Sequence, residues 1–117
     1  MQDKCVFKVL LPSELATLKR DGRFNGAPSD VAVGFIHMST ALQLGGTIEK
    51  HFNGVRDACI LTVDVEALGE HVRWEVAKNG QIYPHLFGSL PFDAVLAYGP
   101  LERDETGAVQ LPVVSEA

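Results

Sequence analysis

The feature that most limits what this chain can fold into is the point at which helical periodicity stops. Two stretches space their apolar residues as a helix does, and both lie before residue 57. Leu15 and Leu18 follow a Pro12-Ser13 start, and Leu44, Ile48 and Phe52 follow Thr40. Beyond them, apart from one helical turn at 66–68, the chain reads as short strands bounded by turn residues. Two early helices followed by strands predict an α+β unit with compact mixed or antiparallel sheets, not alternating βαβ. A chain of 117 residues suits a single domain over 1–117.

Strands are expected at 5–11, 34–38, 58–65, 72–77, 81–83 and 93–98, with a last edge strand at 108–111. "ACILTVDV" is the clearest of them. Helices are expected at 12–20, stopped by Asp21-Gly22, and at 41–52. There Thr40 and Gln43 form a T-x-x-Q capping box. Gly45-Gly46 inside the second helix costs about 1 kcal/mol per glycine relative to alanine. Either that helix is weak there, or a backbone or ligand comes close. Residues 24–33, rich in Gly, Pro, Ser and Asp and without a clear period, read as a loop. Asn79-Gly80 is a hairpin turn. Pro84 should end its strand or leave it on an edge, and "PHLFGSLP" reads as a connector. The tail at 102–117 reads as a strand and a loose end.

Composition removes several function classes. Apolar residues at 46% support a core, and 21% charged residues argue against disorder. Net charge is −5, which disfavours an extended nucleic-acid surface; "LKRDGR" is the densest basic stretch. No apolar run is long enough to span a bilayer, and "MQDKCVFKVLL" lacks a cleavage site, so the cytoplasm is expected. Cys5 and Cys59 read as buried reduced thiols. There is no G-x-G-x-x-G, no Walker motif and no zinc-like ligand spacing, so no metal is expected.

The residues able to do chemistry cluster in three places. In "GFIHMST", period two puts His37 and Ser39 on one strand face, where the strand meets the helix that Thr40 starts. Free N–H groups there, the Ser39 hydroxyl and the imidazole could hold an anionic or hydroxylated ligand. The competing reading is a half-buried histidine on a carbonyl and a threonine that only caps. In "IYPHLFGSLP", His85 sits between Tyr83 and Phe87 on a segment stiffened by prolines, as in a pocket for a flat ring or in an ordinary packed turn. In "RWE", Arg73 and Glu75 share a face, either as a surface pair or with Glu75 placed to steady a developing cation.

"FKVLLPSEL", "GFIHMSTALQL" and "VRWEVAKNGQIYPHLFGSLPFDAVL" together resemble a small bacterial family, domain of unknown function 952. Its signatures are a GFIHxS segment, an RWE-type strand and a PHLYG-P-L segment. The likeness runs over about 5–101, with Phe87 where tyrosine is usual and Met38 where leucine is common. The resemblance implies an ADP-ribosyltransferase-like fold, two small sheets around an NAD cleft, similar to RNA 2'-phosphotransferases. It assigns His37 to ribose hydroxyls and Ser39 to orienting the ligand. His85 matches only the family's own motif, and Glu75 is a candidate by chemistry alone. The expectation is thus an enzyme acting on NAD or a related nucleotide. His37, Glu75 and His85 would be catalytic, and His37, Ser39, Thr40 and Tyr83 or Phe87 would bind the nucleotide. The alternative is a non-catalytic nucleotide-binding or sensing module. The oligomeric state is left open.

Overall fold

In the computed structural model, which describes residues 4–112, the strand β1 (Cys5–Leu10) is buried on both faces. Its antiparallel partner β4 (Cys59–Asp64) is also buried along its centre. That is why "CVFKVL" and "CILTVD" are nearly continuous apolar runs rather than alternating ones. One face, with Val6, Leu10, Leu61 and Val63, joins the larger core. The other, with Phe7, Val9 and Ile60, receives Leu44 and Ile48 from the helix α3 (Ala41–His51). Burying each of those two side chains contributes about 1.5–3 kcal/mol. β8 (Val95–Pro100) completes this sheet in the order β1-β4-β8. Cys5 pairs with Asp64 and Cys59 with Leu10, so the two cysteines lie at opposite ends of the ladder. Both are half-buried rather than buried.

A second sheet has the order β3-β6-β5, from β3 (Ile36–His37), β6 (Ile82–Leu86) and β5 (Val72–Val76), all antiparallel. Its inner face carries Ile36 and Leu86, with Val72 and Trp74, into the larger core. β2 (Arg23–Phe24) and β7 (Leu90–Pro91) form a two-stranded pair. The α+β class and antiparallel pairing are as expected. So are α1 (Pro12–Asp21), the one-turn α4 (Val65–Leu68), and the Thr40 cap, whose hydroxyl accepts from the Gln43 N–H at 3.2 Å.

Several elements depart from the sequence reading. Residues 24–33 are not all loop: they hold the end of β2 and the helix α2 (Pro28–Val33). α2 is too short to show a period, but Pro28 begins it and the Asp30 carboxylate accepts from the Ala27 N–H at 2.8 Å. β6 continues through Pro84 in the centre of its sheet. The Pro84 carbonyl accepts from Met38 N–H at 3.1 Å, so the missing proline N–H faces β3. Proline cannot return that bond, and β3 ends there. The chain then crosses to the other sheet, where Ser39 and Phe7 exchange backbone bonds at 2.7 and 2.9 Å. The "GSLP" stretch holds β7, and 108–111 contributes only a bridge between Arg103 and Val109. A Cβ at Gly45 or Gly46 would meet nothing within 4 Å, so neither a backbone nor a side chain comes close there. Residues 113–117 of the expected tail lie outside the described residues.

Candidate functional site

The β3-β6-β5 sheet turns its second face outward, and alternation decides what appears there. His37 pairs with His85, Arg73 with His85, and Glu75 with Tyr83. Phe35 and Phe87, just beyond the strand ends, continue the same face. Far apart in sequence, the two histidines come together with ring centroids 5.6 Å apart and edge-on. The Phe35 ring stacks on His85 at 4.2 Å and lies 4.8 Å from His37, with Phe87 at 5.2 Å. The Arg73 guanidinium sits 4.7 Å from the centre of the Phe87 ring.

Each imidazole is held by a carboxylate at the same nitrogen. Nδ1 of His37 lies 2.6 Å from Oδ1 of Asp30, and Nδ1 of His85 lies 2.8 Å from Oε1 of Glu75. An ionised carboxylate can only accept, so Nδ1 carries the proton in each ring. The neutral ring then offers Nε2 as a base, and no described residue makes a hydrogen bond to either Nε2. The His37 side chain is 48% exposed and that of His85 12%.

Asp30 is the hub of the site. It is only 2% exposed. Its carboxylate accepts from the His37 ring, from the His37 and Ala27 backbone N–H groups at 3.0 and 2.8 Å, and from Lys8 Nζ at 3.1 Å. Burial by itself would raise its pKa. The hydrogen bond from the His37 ring, the Lys8 charge and the backbone donors outweigh that and hold it well below the usual carboxylate value. Lys8 is buried in β1, and Nζ also donates to the His37 carbonyl at 2.8 Å. Its pKa is lowered by burial, against the pull of Asp30 and then Glu14. Lys8 therefore bonds both the backbone of His37 and the acid that orients its ring.

The structure separates the residues singled out in the sequence. His37, His85, Glu75, Tyr83 and Phe87 share the outer face. The Tyr83 hydroxyl accepts from Asn79 Nδ2 at 3.1 Å. Ser39 does not share the exposure of His37: it is 3% exposed and its hydroxyl is 2.7 Å from that of Thr47 in α3. The crossing between sheets after Met38 turns it inward. The Thr40 hydroxyl serves the start of α3. Sequence reasoning missed Asp30, Lys8 and Phe35. A lysine inside an apolar strand run was a usable signal for Lys8, since a buried ammonium requires a partner. Asp30 had none, lying in a segment without periodicity.

Fold and site together define an α+β protein whose small antiparallel sheet displays two carboxylate-oriented histidines on an aromatic face. The chain belongs to the family described as protein of unknown function, DUF952, whose model matches residues 9–98. It is similar to protein CC0527 from Caulobacter crescentus. The crystal structure of that protein is 36% identical, with 91% of this chain and 93% of that chain covered and a TM-score of 0.82. Its solution NMR structure is also 36% identical, covers 92% and 91%, and has a TM-score of 0.77. No curated protein matches the chain. Among the described residues, no helix is long and apolar enough to cross a membrane.

Proposed function

We propose that the protein is an enzyme of ADP-ribosyltransferase-like type that acts on NAD or a related nucleotide, with His37 and His85 as its working pair. The observation that carries this reading is the matched orientation of the two rings, each held at Nδ1 by a carboxylate. This leaves the two Nε2 atoms for a ligand on one face. His37 Nε2 accepts from a ribose hydroxyl. Tyr83, Phe35 and Phe87 provide flat surfaces for a ring such as nicotinamide. The glycosidic C–N bond breaks with its electron pair leaving on nicotinamide. Glu75, one oxygen on His85, has its second oxygen to steady the oxocarbenium-like cation. His85 serves as the acid–base group for the acceptor. Two small sheets joined at residues 37–39 support the ADP-ribosyltransferase-like form. Ser39 and Thr40 have no part in this version, because both hydroxyls are engaged within the fold.

A non-catalytic nucleotide-binding module is the second reading. It is favoured by the commitment of Glu75 Oε1 to His85, which leaves no wholly free carboxylate among these side chains. NMR titration of the backbone amides with NAD and with ADP-ribose tests both. Shifts at 34–38 and 82–88 are expected, and His37→Ala should weaken binding about ten- to a hundredfold. Release of nicotinamide over hours separates the enzyme from the module. If millimolar ligand leaves those amides unmoved, the nucleotide reading falls.

A further inference from the structure

β5 is an edge strand, and two bonds settle which way its backbone points. The Phe87 N–H donates to the His71 carbonyl and the Ala77 N–H to the Gln81 carbonyl, both at 2.8 Å. Residues 71 and 77 therefore face β6, and by the alternation of an antiparallel ladder so do Arg73 and Glu75. Trp74 and Val76 turn their N–H and C=O groups away from the sheet, together with the Val72 carbonyl. The Val72 N–H is taken by the Gly69 carbonyl. Among the described residues, no strand pairs with this side of β5.

The other edges are short, interrupted or already engaged. The outer side of β1 is bridged at its centre, where Phe7 exchanges backbone bonds with Ser39. β3, β2 and β7 have two residues each. β8 ends in Gly99-Pro100, and its ladder slips at Thr62/Val63. β5 has five residues, an unbroken register, no glycine or proline, and Val76 71% exposed at its end. Such an edge is a template for another strand.

The segment Val-Arg-Trp-Glu-Val is also complementary to itself read backwards. We propose that two copies of this chain pair antiparallel through β5, about a two-fold axis at Trp74, so that their two sheets become one. Trp74 then exchanges backbone bonds in both directions with Trp74 of the partner subunit. Each Val76 N–H donates to the carbonyl of Val72 of the partner subunit. Arg73 falls opposite Glu75 of the partner subunit, at a non-hydrogen-bonded position where side chains approach most closely. The neighbouring registers centre on Arg73 or on Glu75 and set like charges against each other, so charge selects the register centred on Trp74. Glu75 keeps one oxygen on His85, and Arg73 of the partner subunit lies beside its carboxylate across the new strand pair. Each histidine pair thereby gains a cation from its partner, whether or not that pair is catalytic.

Sedimentation equilibrium from about 1 to about 500 µM, a range suited to a small interface, tests this on the full chain. The expected mass rises from 12.7 kDa to twice that value. Arg73→Glu should weaken association by about tenfold or more by opposing two glutamates, and Glu75→Arg likewise with two arginines. The double variant Arg73→Glu/Glu75→Arg should restore it. Val76→Pro removes only an outward N–H and should also give monomer, with circular dichroism reporting that each variant is folded. A wild-type chain that stays at monomer mass throughout overturns the proposal. So does a dimer that survives both charge reversal and Val76→Pro, or folded single variants whose association the double variant does not restore.

Discussion

Asp30 holds His37 twice with one oxygen: Oδ1 lies 2.6 Å from the ring Nδ1 and 3.0 Å from the backbone N–H. Both the rotation of the imidazole and the path of β3 thus depend on one buried carboxylate. That carboxylate is in turn neutralised by Lys8, which reaches back to the His37 carbonyl. The aromatic face can present a fixed Nε2 because of this arrangement beneath it.

Removing that carboxylate should therefore be costly. Asp30→Ala strands the buried Lys8 ammonium on a single carbonyl and should lower stability by about 3–5 kcal/mol in urea denaturation. Asp30→Asn keeps the shape and should cost less. It should also redistribute the His37 ring between its two tautomers, read from imidazole ¹⁵N shifts. An unchanged tautomer in Asp30→Asn would contradict the orienting role.

Acid should destabilise the fold through the same group. The folded pKa of Asp30 is depressed, so its contribution is fully present above the unfolded value of about 3.9. It is lost as pH falls from there toward the folded value. Thermal or urea unfolding followed from pH 6 down to about pH 2 should show stability falling below about pH 4. The fall should be shallower in Asp30→Asn.

Gly26 should resist substitution. Its φ is +115°, and a Cβ placed there would lie 2.9 Å from Cβ of Asp30 and 3.6 Å from Cγ1 of Ile36. Gly26→Ala combines an unfavourable backbone conformation with pressure on the hub residue. A loss of about 1–3 kcal/mol is expected, with amide shifts that extend to His37. Gly22→Ala, where nothing lies within 4 Å and φ is +76°, should leave His37 unmoved.

Ser39→Ala should reveal an internal role. Losing the bond to Thr47 should cost about 1 kcal/mol and leave nucleotide affinity as in the wild type, measured in the titration that detects His37→Ala. A tenfold loss of affinity in a folded Ser39→Ala would restore the ligand role read from "GFIHMST".

Local information settled much of this protein. The spacing of Leu44, Ile48 and Phe52 and the Thr40–Gln43 box mark α3, the run "ACILTVDV" marks β4, and Asn79-Gly80 marks the turn between β5 and β6, because each depends on neighbours within a few residues. Period two also placed Arg73 and Glu75 on one face, and both histidines stood out as imidazoles among apolar or rigid neighbours. The register between β3 and β6 is a long-range fact, and it alone puts His37 beside His85. The burial of Asp30, its meeting with Lys8, and the inward turn of Ser39 depend on strands and helices distant in the chain. So does the place of Pro84 in a central strand, which is tolerated only because β3 leaves the sheet where the proline N–H is missing. Periodicity reports which face a residue shares with its neighbours. Tertiary packing decided which of those faces closed into the core and which stayed open to water.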